Sequence, residues 1–352
     1  MASITTVGGS VVTVGGSSSV GNGTSFGDLI EKVYRRVMGG IRERAVQIDQ
    51  ELDADDTDVT LIGAQANGIA PGVILAVEME LMYVTGWNAA TNTATVIRGY
   101  YGSRQTDHNN KEIAYINPRY SRYDIGVAIN DDLRSLSSPT NGLFRVGVAT
   151  LTYNPVFAGY DLGALPDDFI DILEVRYRIA PPYRTFPAIK KWKVLRGIPD
   201  PVFPSGKGLV LYESGWPGLP IYVMYSAPFI KLVDPADSVL QTPGSNDEAP
   251  PHNGYFPTGA TPSVYNAYSN QTVANLTPTM IDIPVLGAEI DLTLPREISR
   301  NFMESQPDPR KATDVPAGSV SNSVNALIMR RAQRINEEAD RLTRQYTRIR
   351  SW

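Results

Sequence analysis

The sequence predicts an α+β fold: a helical bundle with a long C-terminal helix, plus two antiparallel β regions. Segments with apolar residues three and four positions apart, typical of helices, alternate with segments whose apolar residues recur every second position, typical of strands. The longest uninterrupted helical pattern lies at the C-terminal end. Thirty Gly, 26 Pro and 18 Tyr favour strands and ordered loops between the helices.

The composition bounds the classes of function. With 352 residues the chain is long enough for two or three units. It contains no cysteine, which excludes disulfides, thiol nucleophiles and thiolate metal sites. A net charge of −5 provides no overall basic field for nucleic acid. There is no secretory signal pattern and no apolar run of the about 18 residues that a membrane span needs. We therefore expect a soluble protein made in a cytoplasm, without a cofactor.

The first two segments are an arm and a helix. Residues 1–25 are Gly, Ser, Thr and Val with scarcely any charge, which favours a flexible arm. Alternatively, the β-branched residues 11–14 favour addition of a strand to a neighbour's sheet edge. Residues 26–44 form a helical layer, since Ser25 is a good N-cap and Asp28 lies in the first turn.

Residues 45–118 follow a strand pattern and predict a small β insert, either a barrel or a sandwich. Residues 73–85 form one long apolar-rich run, and residues 93–101 return as a strand. The helical pattern resumes in residues 119–140, where the apolar stripe is Ile125, Ile129, Leu133 and Leu136. The insert therefore interrupts a helical hairpin.

The insert resembles a module that recurs in virion proteins of tailed bacteriophages. In that module a strand with an acidic residue before a Met or Tyr is followed by Arg-Gly, then Gly-Ser or Gly-Thr, then His. The matching residues here are Glu80, Met82, Arg98, Gly99, Gly102, Ser103 and His108. The resemblance covers about 45 residues of sequence.

Residues 141–233 predict a second β domain. Its predicted strands are residues 144–153, 169–179, 188–195, 208–212 and 221–229. Their order resembles the connector (adaptor) proteins of tailed-phage necks, in which a Leu-Pro-Asp turn leads to a strand of the central sheet and two further strands follow. The matching residues are Pro166, Asp167, Gly208, Leu209, Leu211, Ile221, Val223, Tyr225 and Ala227.

The remaining chain divides into an arm and a second helical layer. Residues 234–283 are rich in Pro, Gly, Asn, Ser and Thr, and we interpret them as an extended arm packed on adjacent subunits. Residues 284–352 form helices, of which the first is expected to break or kink at Pro295. The terminal helix has a stripe of seven apolar residues, which are Ile328, Ala332, Ile335, Ala339, Leu342, Tyr346 and Ile349.

The arginines of the terminal helix leave three interpretations open. They are a solvated face with pairs such as Glu337–Arg341 and Asp340–Arg344, a cationic surface for a neighbouring ring or DNA, or one side of a coiled coil. We expect the first part of the stripe, up to Ile335, to belong to the protein's own core. The part from Leu342 onward should project and contact a neighbour.

Other candidate chemistry is weak. The acidic run at residues 53–58 lacks the Gly and terminal Glu of a calcium loop, so an acidic turn is favoured. His108 alone has no catalytic partner in the sequence. Lys190, Lys191 and Lys193 flank Trp192 and indicate either a solvated strand face or a contact to a phosphate backbone. The sequence predicts no catalytic residue and no metal site.

The resemblance implies a structural virion protein, namely a head-to-tail connector whose copies form a ring of about twelve. Its implied partners are the portal protein, the next neck or tail protein and packaged DNA. The implied location is the head–tail interface of the virion. The residues assigned to the portal or to a neighbouring subunit are Ile335, Leu342, Tyr346, Ile349, Trp352, Arg341, Arg344, Arg348 and Arg350, and those assigned to DNA are Lys190, Lys191 and Lys193. Two alternatives remain: another virion component, such as a tail or head-surface protein, and a glycan-binding or glycan-degrading β protein.

Overall fold

The computed structural model describes most of the chain outside its N-terminal and proline-rich segments. The described residues are 26–63, 68–157, 159–163, 165–166, 168–178, 186–197, 203–213, 215, 217–229, 231–232, 276, 279–304 and 319–346, with backbone alone for 295–304 and 319–323. Both predicted arms, except for residues 276 and 279–283, lie outside this set.

Four helices pack around one apolar core. They are α1 (Phe26–Met38), α2 (Arg122–Leu136), α3 (Asp282–Glu304) and α4 (Ser319–Gln345). Ser121 and Asp124 form a reciprocal capping box at the start of α2, which satisfies backbone N–H groups that the first turn cannot pair. The stripes predicted for α1 and α2 are buried, as the core contains Leu29, Val33, Ile125 and Leu133.

Two sequence predictions for the helical layer need correction. Helix α3 is continuous through Pro295, so this residue does not end it. The end of the predicted extended arm packs on its own chain, because Leu276 and Met280 are buried in the helical core. Burial in this core removes their apolar side chains from water, which is more favourable in free energy than exposure on an extended arm.

The β insert is a closed barrel of six antiparallel strands. The strands are β1 (Ala45–Ile48), β2 (Asp58–Ile62), β3 (Ile74–Val77), β4 (Glu80–Asn88), β5 (Thr93–Ile97) and β6 (Ile113–Ile116), in the order β1-β2-β5-β4-β3-β6. Closure pairs both edges of the sheet, and a core with Ile48, Leu75 and Met82 fills the interior.

The predicted single run at residues 73–85 is a tight hairpin. Strands β3 and β4 meet at Glu78, whose φ of +49° is in the left-handed region. Apolar residues continue on both sides of this turn, so hydrophobicity alone does not reveal it. Met79 at the hairpin tip packs against the helical core and fixes the barrel to the bundle.

The second β domain contains two three-stranded antiparallel sheets. Their strands are β7 (Arg145–Thr152), β8 (Tyr160–Asp161), β9 (Asp171–Tyr177), β10 (Trp192–Arg196), β11 (Lys207–Leu211) and β12 (Pro220–Ala227). The orders are β7-β12-β9 and β10-β11-β8. The sheets share a core with Leu209, Ile221 and Tyr225. The α+β prediction is therefore confirmed, and the short strand β8 is an addition to it.

Among the described residues, we find no helix with the length and apolar character required to cross a bilayer.

Candidate interaction surface

The apolar stripe of α4 is divided between core and solvent. Ile335 and Leu342 are each 4% exposed and belong to the helical core, and Ala339 and Tyr346 pack against it. Ile328, in contrast, is 44% exposed, and its neighbour Met329 is 74% exposed. The prediction that Ile335 belongs to the protein's own core is therefore confirmed, whereas the predictions for Ile328 in the core and for Leu342 at a neighbour are wrong. Ile335 and Leu342 stabilise the protein's own bundle, because both are buried in the helical core.

Arg334 connects α4 to the start of α3. Its Nε donates to Asp282 Oδ2 at 3.0 Å, and its Nη2 donates to the carbonyl oxygen of Thr279 at 2.7 Å. It also pairs with Glu337 and Glu338 on its own helix. Arg341 pairs with Glu338 at 2.7 Å. The central arginines of α4 are therefore used within the chain.

A second ion pair joins α4 to α2. Arg331 Nη2 lies 2.6 Å from Asp132 Oδ1, and the Asp132 side chain is 9% exposed. Asp132 Oδ2 is buried without a hydrogen-bond partner among the described residues. Burial raises the pKa of Asp132 to about 6, although the positive charge of Arg331 opposes this shift.

The other predicted interface residues fall into three groups. Arg344 is exposed on the last turn of α4, and Tyr346 is half-buried just beyond it. Lys190, Lys191 and Lys193 are exposed, whereas Trp192 is buried. Alternation accounts for Lys191 and Lys193 on the face opposite to Trp192, and Lys190 precedes the strand. Arg348, Ile349, Arg350 and Trp352 lie outside the described residues.

The motif of the barrel forms one buried polar network. Glu80 begins β4, and Arg98 follows β5, the strand beside it. Arg98 donates from Nε to Glu80 Oε1 at 2.6 Å and from Nη2 to Glu80 Oε2 at 2.7 Å. The backbone N–H groups of Gly99 and Thr106 also donate to this carboxylate. Four of the resemblance residues, Glu80, Arg98, Gly99 and His108, thus meet at one place.

This network keeps Glu80 ionised. Burial by itself raises the pKa of a carboxyl group, but the hydrogen bonds from Arg98, His108 and Thr106 lower that of Glu80 to about 2. Arg98 also donates to the carbonyl oxygens of Asp53 and Asp56. The acidic run at residues 53–58 is therefore a turn held by its backbone, in agreement with its sequence interpretation.

The loop after β5 needs glycine at two positions. Gly99 has φ +64°, and a Cβ there would lie 3.0 Å from the backbone oxygen of Ser103. Gly102 has φ +80°. This conformation lets the Ser103 hydroxyl accept a hydrogen bond from the Leu81 N–H at 2.9 Å. The glycines and the serine of the motif therefore have structural roles.

His108 lies between two carboxylates. Its Nε2 is 2.9 Å from Glu80 Oε2, and its Nδ1 is 3.0 Å from Glu112 Oε2. Glu78, His108 and Glu112 also place one ligand atom each within 4.8 Å of one another. Both ring nitrogens of His108 thus have a carboxylate partner, and Asn109 donates twice to the other oxygen of Glu112. We therefore assign His108 a structural role.

Sequence reasoning identified the motif residues but missed their mutual contacts and the contact between Glu112 and His108. The available signal was a charged residue, Glu80, inside an apolar strand, because a buried carboxylate requires a cationic partner.

A search of models of known protein families found no match to this chain. A search of curated proteins likewise found no similar sequence.

Proposed function

We propose that the chain is a structural protein of a tailed-phage virion, a head-to-tail connector whose copies form a ring on the portal. In this role the ring links capsid to tail, helps to retain packaged DNA and presents a surface for the next neck or tail protein. The action is mechanical and requires no catalytic residue.

One observation carries the proposal. The residues on which the resemblance to phage virion modules depends lie up to 28 positions apart, yet Arg98, Gly99 and His108 all bond to the Glu80 carboxylate. Ser103 bonds to Leu81, the residue next to Glu80. A chance similarity of spacing would leave these residues unrelated in space. Their convergence supports the interpretation of the insert as the same kind of module.

The arrangement of the bundle supports a contact near the C-terminal end. Helix α4 is held by its middle part, through Ile335, Leu342 and Arg334. The cationic segment is then Arg344 with Arg348 and Arg350, which follow the last residues buried in the core. Its positive charge suits acidic groups of the portal or the phosphates of DNA.

The burial of Ile335 and Leu342 decides how this contact is tested. Deleting the whole terminal helix would open the helical core, so loss of docking would then report unfolding. A truncation of residues 347–352, or replacement of Arg344, Arg348 and Arg350 by Glu, leaves the buried residues in place. Arg330→Glu is the matched control, since Arg330 is exposed on the same helix.

The deciding measurement is electron cryo-microscopy of the virion that contains this chain. We expect a ring on the tail axis directly beneath the portal, and binding of the purified protein to the portal ring. Charge reversal of the cationic segment should weaken this binding by at least about tenfold, and Arg330→Glu should not. A location on the head surface or tail tip, or turnover of host glycans, would overturn the proposal.

A further inference from the structure

One sheet edge of the second β domain is long and pairs with no other strand among the described residues. Strand β7 pairs with β12 along its whole length, and Pro220 lies opposite Thr152. Because proline has no N–H, this position is a non-hydrogen-bonded pair. The alternation then turns the backbone N–H and C=O groups of Val146, Val148, Thr150 and Thr152 away from β12.

No described residue bonds to these outward backbone groups. The strand is also unusually apolar for an edge. Its sequence is RVGVATLT, its only charged residue is Arg145, and Arg145 is buried and donates to the Pro228 carbonyl oxygen at 2.6 Å. Val148 is 57% exposed. Edges of this kind accept further strands unless lysine, proline or a bulge protects them.

The other described edges are closed or protected. The barrel has none, because its sheet is closed. Beside β9, residues 187–189 form backbone hydrogen bonds, including Ile189 N–H to the Val175 oxygen at 2.8 Å. Strand β10 carries the exposed Lys193 and is preceded by the exposed Lys191, and β8 has two residues. Strand β7 is therefore the described edge best suited to accept a strand.

The chain itself contains a segment of matching chemistry. Residues 11–14 are Val-Val-Thr-Val, uncharged and mostly β-branched, and Gly and Ser predominate around them. Such a sequence fits a strand and lacks charges that would oppose pairing with β7. Residues 15–25, which connect this segment to α1, have the Gly- and Ser-rich composition of linker sequences.

The arm joins the protein at the helical bundle. Phe26, the first described residue, lies against Gly126 in the first half of α2, whereas β7 follows the last turn of that helix. A random-coil connection of about twelve residues has a root-mean-square length of about 19 Å and reaches up to about 40 Å when it is fully extended. The proposed assembly into a ring favours the arm of a neighbouring copy, and the crosslinking experiment below separates it from the arm of the same copy.

We propose that the open edge of β7 binds residues 11–14 from the N-terminal arm of a second copy as an added strand. Donor and acceptor are different surfaces, so the contact is head-to-tail and repeats around a ring, whereas a β7–β7 contact would end at a dimer. The inference rests on the self-assembly in the proposed function and identifies the surfaces that form it.

Single-cysteine variants test this contact, because the natural chain has no cysteine. Full-length Val12→Cys and Val148→Cys proteins are mixed, oxidised mildly and analysed by mass. Since each chain has one thiol, a covalent heterodimer can form only between copies. We expect this heterodimer from Val12→Cys with Val148→Cys, and none from Val12→Cys with Lys193→Cys, the control on the edge of the other sheet.

A second measurement reads the strand itself. On assembly, the backbone amides of Val148 and Thr150 should exchange hydrogen at least about tenfold more slowly. Val148→Lys should abolish this protection and keep the monomer fold, since Val148 is largely exposed. Replacing Val11, Val12 and Val14 by Ser should also abolish it, and Val20→Ser should not.

Three results would overturn the inference. The first is a dimer from Val148→Cys alone, which would indicate β7–β7 pairing. The second is a crosslink confined to single chains in the double variant Val12→Cys/Val148→Cys, and the third is the absence of any crosslink. A ring at the portal exit without the crosslink refutes the strand contact and leaves the connector function standing. If the crosslink forms but the protein is located elsewhere in the virion, the strand contact stands and the connector function is refuted.

Discussion

Glu80 and Arg98 form a two-pronged ion pair inside the barrel, with N–O distances of 2.6 and 2.7 Å and side chains that are 0% and 2% exposed. The pair joins the start of β4 to the end of β5 and, through Arg98, to the turn at residues 53–56. A buried carboxylate is tolerated here because Arg98 and the backbone N–H groups of Gly99 and Thr106 donate to it. The stability of the barrel should therefore depend strongly on this pair.

Glu80→Gln should destabilise the barrel by about 3–5 kcal/mol, because it leaves the Arg98 charge buried without its partner. Urea unfolding followed by circular dichroism measures the loss. Glu51→Gln is the control, since Glu51 is exposed in the same barrel and should change the free energy of unfolding by less than about 0.5 kcal/mol. Equal losses in both variants would contradict a central role for the pair.

The same pair predicts an acid-labile barrel. The pKa of Glu80 falls from its ordinary 4.5 to about 2 on folding, so the stabilising charge is fully present above about pH 4.5 and is lost as the pH falls toward 2. The difference in free energy of unfolding between the natural protein and Glu80→Gln should shrink over this interval. Urea unfolding at a series of pH values provides the test, and a constant difference would refute the assignment.

Asp132 predicts the opposite dependence on pH. Its pKa rises from 3.8 to about 6 on folding, so the folded protein binds the proton more tightly, and stability decreases as the pH rises through this interval. The shift already includes the attraction of Arg331. Asp132→Asn should therefore stabilise the protein above about pH 6, by up to about 3 kcal/mol, and have little effect below about pH 4.

Thermal unfolding at both ends of the pH range checks the prediction for Asp132. Asp131→Asn is the matched control, because the Asp131 side chain is 61% exposed on the same helix, and it should leave the pH dependence unchanged. Destabilisation by Asp132→Asn at neutral pH would show that the Arg331 ion pair outweighs the cost of burial.

Gly287 permits the close approach of α3 to Asp132. A Cβ at position 287 would lie 1.9 Å from Asp132 Oδ1, so Gly287→Ala should cost about 1–3 kcal/mol through overpacking. With Asp132→Ala the clashing atoms are gone, and the same change should instead gain up to about 1 kcal/mol of helix propensity. A double-mutant cycle measured by urea unfolding gives this coupling, and additive effects would exclude the contact.

The sequence predicted the elements better than it predicted their contacts. Alternation located five of the six strands in the second β domain, but the hairpin at Glu78 was hidden because apolar residues continue through it. The seven-residue stripe of α4 correctly indicated a buried face, yet periodicity does not state how far neighbouring helices extend. That extent places Leu342 in the core and leaves Ile328 exposed. Likewise, the motif identified Glu80 and Arg98 singly, and their pairing required the closure of the barrel.

Arg334 is the residue on which the attachment of α4 to α3 should depend. Arg334→Gln removes the ion pair with Asp282 and the donor to the Thr279 carbonyl oxygen, while Leu342 and Ile335 still hold the helix. We expect a loss of about 1–3 kcal/mol and faster hydrogen exchange in the first turns of α3 and along α4. Arg330→Gln, an exposed change one turn earlier, should show neither effect. Equal rates of hydrogen exchange in the two variants would mean that apolar packing alone anchors α4. Arg334 would then have no part in positioning the cationic segment that follows.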